Sequence, residues 1–143
     1  MRWPLLLAGI ILTAVTGCSS TAPTVMVSVG DQEQELTPTQ YCLDGKSEVY
    51  RDQDPPPVLR VSGDLPIRID VPGEVAESGW QVQVFDSELE EQLGQVDAGN
   101  ATSLDEIRTG DAATPEYYLV IVQDAGADCD GLSGAWPIGF VRG

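Results

Sequence analysis

The chain has 143 residues, 42% of them hydrophobic and 21% charged, enough to build one domain around a core and too few for two. Lysine and arginine number 7 against 23 aspartates and glutamates, and the resulting formal charge of -16 repels a phosphate backbone, which argues against nucleic acid as a partner. Histidine is absent, so the commonest general base at neutral pH and the commonest metal ligand are both missing.

Met1 and Arg2 precede Trp3 to Val15 (WPLLLAGIILTAV), an apolar run that ends in small residues in the manner of a secretory signal. The run is too short to span a bilayer as a helix, which takes about 20 residues. It closes on Val15-Thr16-Gly17-Cys18, which resembles the lipobox of bacterial lipoproteins, with Val15 standing where leucine is commonest. The resemblance implies that residues 1–17 are a lipoprotein signal peptide and that Cys18 becomes a lipidated first residue, carrying a diacylglyceryl group with chains of the palmitate class. One acyl chain gives marginal attachment and two hold stably. The expected location is therefore the cell membrane, lipid-anchored and facing the extracytoplasmic side. An ordinary signal cleaved nearby, with Cys18 a spare thiol, is the alternative. Residues 18–24 read as the lipidated cysteine and a short tether of small polar residues, and residues 25–143 as the extracytoplasmic domain.

With Cys18 consumed by lipid, Cys42 and Cys129 remain, and an even remainder in an exported chain reads as one disulfide joining the two ends of the domain. A redox pair is the alternative, but the chain has no C-x-x-C spacing.

Along the domain, Val25 to Val29 is a β-branched run stopped by Gly30-Asp31, and Gln32 to Leu36 returns as the second arm of a hairpin. Leu43 to Pro57 is polar, charged and ends in three prolines, so it reads as a long surface connection. Val58 to Val61 and Ile67 to Val71 alternate apolar with polar residues, as strands with one wet face do, and Pro72-Gly73 turns the chain. Trp80 to Phe85 alternates again, with Trp80, Val82 and Val84 on one face. Asp86 to Gln95 is acidic around a turn, and Leu93 to Val96 begins a returning strand. Ser103-Leu104-Asp105-Glu106 fits a capping box before Ile107, so this stretch reads as a solvated loop or a single helical turn. Tyr117 to Val122 is a continuous run of β-formers suited to a central strand, and Ala135 to Arg142 is the last strand, where Pro137 argues for an edge or a bulge.

These readings specify an all-β domain of about seven strands, an immunoglobulin-like two-sheet β-sandwich with one disulfide. The order Cys42, Trp80, Cys129 is similar to the immunoglobulin pattern, but the first gap is longer than that pattern allows, so the bridge is expected to be a variant one. Trp80 as a core residue unrelated to the bridge is an equal alternative.

Four segments carry a family resemblance: the lipobox, V-x-V-G-D-x-x-x-x-L-x-P-T-Q-Y-C from Val27 to Cys42, V-P-G-E-V-A from Val71 to Ala76, and W-Q-V-x-V-F from Trp80 to Phe85 before an acidic loop. Together they resemble small lipoproteins of actinobacteria that are grouped only as a domain of unknown function, number 2771. The resemblance implies an envelope lipoprotein with an extracytoplasmic β domain. It implies no reaction, ligand or catalytic residue.

Asp124, Asp128 and Asp130 cluster before Gly131 and are a weak calcium candidate, because calcium favours clustered carboxylate oxygens. An EF-hand register through Asp128 and Asp130 puts Gly126 first and Pro137 last, neither of which ligates by side chain, so solvated loop acids are the preferred reading and no metal or cofactor is expected. Glu88, Glu90 and Glu91 are adjacent like charges of the solvent-exposed kind. The sequon Asn100-Ala101-Thr102 carries little weight, and no nucleophile elbow, phosphate loop or zinc signature occurs. The expected role is a non-catalytic interaction or accessory module of the cell envelope, partnered by the membrane through Cys18 and by an envelope protein or ligand. Trp136, Ile138 and Phe140 are its candidate contact surface, since aromatic residues are enriched at contact centres. Their alternative role is to close the core. The second functional reading is a carrier that holds a small apolar or cell-wall ligand between the sheets.

Overall fold

Alternation of apolar and polar residues produces most of the strands in the computed structural model, which describes residues 22–43, 45–124, 129 and 133–143. The signal segment, Cys18, most of the tether, Asp128 and Asp130 lie outside the described residues. β1 (Val25–Val29) and β2 (Gln32–Leu36) form the expected hairpin, turning at Gly30, whose φ of 59° suits a residue without a Cβ. β1 also pairs antiparallel with β6 (Pro66–Asp70), and β6 with β9 (Ser103–Arg108), giving a four-stranded sheet in the order β2-β1-β6-β9.

The second sheet has seven strands. β4 (Lys46–Val49), β3 (Gln40–Leu43), β11 (Gly134–Arg142), β10 (Glu116–Gln123), β7 (Trp80–Asp86) and β8 (Gln92–Gly99) lie side by side, and β5 (Val58–Val61) runs parallel to the end of β11. Helix α1 (Gly73–Ser78) follows Pro72 where a simple turn was expected, and buries Val75 and Ala76. Among the described residues no helix is long and apolar enough to cross a membrane.

Inward residues of the two sheets meet in one core. Val27, Ile67 and Ile69 come from one side and Trp80, Leu119 and Ile121 from the other, all almost fully buried. Each such side chain contributes about 1.5 to 3 kcal/mol by leaving water. The two-sheet sandwich follows, with more strands than the seven or so read from the sequence, eleven among the described residues. The surplus comes from β4, inside what was expected to be connection, from β3 just ahead of it, and from β9.

Cys42 and Cys129 form the disulfide, with Cα atoms 6.2 Å apart. It ties β3 to Cys129, between β10 and β11 in sequence; β3, β10 and β11 all belong to the seven-stranded sheet, so the bridge does not join strands of opposite sheets.

Pro137 lies inside β11, which is flanked by β10 from Gly134 to Val141. On the other flank β3 pairs only Gly134 and Ala135, and β5 pairs only Gly139 to Arg142. The Ala135 carbonyl accepts from Thr39 N at 2.9 Å and Gly139 N donates to Pro57 O at 2.8 Å, so odd-numbered residues of β11 address this flank. Pro137 has no N–H to offer where no strand stands opposite, which is a local edge inside a central strand.

Candidate functional site: a cleft between two edge strands

β8 is the outer strand of the seven-stranded sheet and β9 that of the four-stranded sheet. Between them the sandwich leaves a cleft of about 490 Å³, walled by Val84, Val96, Ile107, Ala112, Tyr117 and Leu119. This is within the range of roughly 300 to 1,000 Å³ typical of small-molecule sites, which are mostly apolar with a few placed polar groups.

The strand period of β8 turns Gly94, Val96 and Ala98 inward and leaves Gln95 and Asp97 exposed. A Cβ built on Gly94 meets nothing within 4 Å, so this wall lacks bulk where the cleft is open. On β9, Leu104 opposes Ile69 and Ile107 opposes Ile67, so three steps along β9 face two along β6. That mismatch is a β-bulge at Asp105-Glu106, and it brings Leu104 and Ile107 to the same buried face.

The connection from β9 to β10 closes one end of the cleft and is pinned at the fully buried Thr109. Thr109 Oγ1 donates to Gly63 O at 2.8 Å and accepts from Leu65 N at 2.8 Å. Its carbonyl accepts from Tyr117 Oη at 2.9 Å and from Arg142 Nη1 at 3.4 Å. Burial pushes the Tyr117 phenol up to about 12, so it is neutral and its proton stays on the hydrogen bond. At the rim, Arg108 Nε donates to Asp64 Oδ2 at 3.1 Å and Nη2 to Asp64 O at 2.8 Å, while Asp111 Oδ2 accepts from Arg108 N at 2.8 Å. The arrangement can hold an apolar group by burial.

The other predicted residues fall elsewhere. Trp136, Ile138 and Phe140 are at most 1% exposed and belong to the core, so the expected contact surface is corrected to an interior one. Trp136 Nε1 donates to Pro23 O at 2.9 Å, and Trp136 lies 6.0 Å from Tyr41 between ring centroids. Trp80 Nε1 donates to Ala101 O at 2.6 Å. Asp124 N donates to Gly79 O at 2.9 Å, and the Asp124 carbonyl accepts from Ser133 Oγ. Among the described residues no group of three or more acids or cysteines is placed to hold a metal ion.

Glu88, Glu90 and Glu91 lie exposed in the β7–β8 turn, where Asp86 Oδ1 accepts from Glu90 N at 2.8 Å. The Asn100 amide donates to Ala76 O at 2.8 Å and to Glu77 O at 3.1 Å, a structural tie to α1. Ser103 to Arg108 is strand β9, neither solvated loop nor helical turn. A second hollow of about 610 Å³ has Glu35, Glu48, Asp52 and Glu74 in its walls and is a polar, solvated surface.

The sequence admitted a ligand between the sheets as a second reading but assigned it none of the residues that line the cleft. The one signal for it was the alternation of Gly94, Val96 and Ala98 with polar neighbours, which marks a strand with one inward face but not what stands opposite.

Neither a curated protein nor a solved structure matches the chain. The family model described as protein of unknown function (DUF2771) matches residues 19–130, a span that takes in β1 to β10 and with them every wall of the cleft. The family resemblance read from Val27 to Cys42 and from Trp80 to Phe85 thus holds over most of the fold, and the chain belongs to the DUF2771 family.

Proposed function

We propose that this protein is a non-catalytic binding module of the cell envelope, anchored by lipid on Cys18 at the extracytoplasmic face of the membrane, which takes a small apolar ligand into the cleft between β8 and β9. The observation that carries this reading is the apolar, solvent-open space beside Gly94, Ile107 and Tyr117. The rival reading, a protein contact through Trp136, Ile138 and Phe140, loses its residues to the core. The lipobox resemblance supports the anchor. The disulfide supports an oxidising compartment, where such bonds persist.

Gly94 provides the test, because a side chain there enters open space at an ordinary backbone angle. Nile red, an uncharged apolar dye, is expected to bind the disulfide-bonded protein, and Gly94→Leu to weaken that binding by roughly tenfold, about 1.4 kcal/mol. The variant's melting temperature should stay close to that of the parent. Equal dye binding by parent and variant would remove the cleft as the site.

The anchor has its own check. Cys18→Ser should abolish the lipid mass on the mature product and shift it from the membrane to the soluble fraction. An unchanged mass and partition would overturn the anchor.

A further inference from the structure

We infer that the cleft selects an apolar chain whose head is uncharged and donates hydrogen bonds, an alcohol in chemical class, and that it discriminates against carboxylate-headed chains; this rests on the cleft being the binding site. The polar side chains around the cleft are rich in acceptors, and several of their donors are spent within the protein. Arg108, the one cation among the described residues lining the cleft, gives its Nε proton and one Nη2 proton to Asp64, which turns the guanidinium toward that carboxylate. Tyr117 Oη donates to Thr109 O at 2.9 Å and Thr114 Oγ1 to Glu116 O at 2.9 Å. Gln95 Nε2 donates to Asp97 Oδ1 at 3.2 Å.

Two carboxylates, Glu106 and Asp111, also line the cleft. An incoming carboxylate would face both of them, and an Arg108 whose charge is balanced by Asp64, on a chain of formal charge -16. A hydroxyl meets the opposite situation, since a carboxylate oxygen accepts its proton directly.

The two edges speak against a strand-like peptide as occupant. β9 carries its bulge and the exposed acids Asp105 and Glu106, and the β7–β8 ladder breaks register at Trp80/Gln81 and at Val84/Phe85. Bulges and charges of this kind blunt strand addition. A second copy of the chain would bring the same negative charge to the same rim.

The experiment displaces Nile red from the disulfide-bonded protein with 1-decanol and with decanoate, both below their aggregation concentrations. Decanol should displace the dye at a concentration roughly tenfold lower than decanoate at low ionic strength. The gap should shrink as added salt shortens the screening length below about 10 Å. Glu106→Gln, which keeps an accepting oxygen but removes the charge, should narrow the gap between decanoate and decanol. If decanoate matches decanol in the parent while Gly94→Leu still blocks both, the head-group inference falls and the cleft stands. If neither displaces the dye, or Gly94→Leu leaves displacement unchanged, the cleft reading fails and this inference with it.

Discussion

Tyr117 links the core to the cleft at the level of a single side chain. Its ring stacks on Phe140 at 5.5 Å between centroids, and its hydroxyl holds the Thr109 carbonyl. Burial is the first cause of its raised pKa, from 10.0 to about 12, with Asp111 and Asp64 adding to the rise and Arg142 opposing it. A phenol that ionises later in the folded than in the unfolded state contributes stability that is fully present below pH 10 and is lost as pH climbs toward about 12. Tyr117→Phe deletes the hydrogen bond, at about 1 kcal/mol near neutral pH, and deletes the alkaline loss with it. Denaturant unfolding across the alkaline range should show the parent more stable near neutrality and the gap closing above pH 10. A gap that stays constant across that range would mean that the phenol is not held neutral by the fold. Gly134 acts by absence instead: a Cβ there would lie 2.6 Å from Trp136 Cη2 and 2.9 Å from Tyr41 Cδ2, so this aromatic pair needs a residue without one. The same tight packing turns the aromatic end of the chain into core.

At the level of the element, legibility followed the strand period. β1, β6 and β7 each place an apolar residue at every second position, and all three stand where the alternation put them. β10 was readable as a central strand from its unbroken run of β-formers, and it lies between β7 and β11. β4 is exposed along its length and has no apolar pattern to read; it is a strand because β3 offers it a hydrogen-bonding edge, a property of the partner and not of the sequence KSEV. β9 was hidden for a different reason. Its bulge spaces Leu104 and Ile107 by three, which breaks the period of two and imitates one turn of helix behind an apparent capping box. The cleft was illegible on both counts, because its walls come from a bulged strand, a glycine-bearing strand and a connection that meet only after the two sheets face each other. The contact surface was misplaced because an aromatic, proline-bearing run satisfies a core and an interface equally well until burial is known.

Over the whole molecule, charge and covalent constraint oppose each other. The formal charge of -16 works against compactness, and the two ion pairs among the described residues, Arg68 with Asp70 and Arg108 with Asp64, are exposed and worth little. The Cys42–Cys129 bridge closes a sequence separation of 87 residues, so its principal effect falls on the unfolded chain, whose freedom it removes. In the chain-entropy account a loop of this length contributes roughly 4 to 5 kcal/mol, a large share of the 5 to 15 kcal/mol that holds a typical domain folded. The double variant Cys42→Ala, Cys129→Ala should therefore lose stability by up to about that amount. Denaturant unfolding of parent and variant at the same salt concentration measures it. Added salt should stabilise both proteins by screening the acidic surface, while the difference between them stays nearly constant, because loop entropy carries no charge. A difference below about 1 kcal/mol would mean that the unfolded chain is already constrained without the bridge. A difference that vanished with salt would assign the bridge's contribution to holding charged segments together in the folded state.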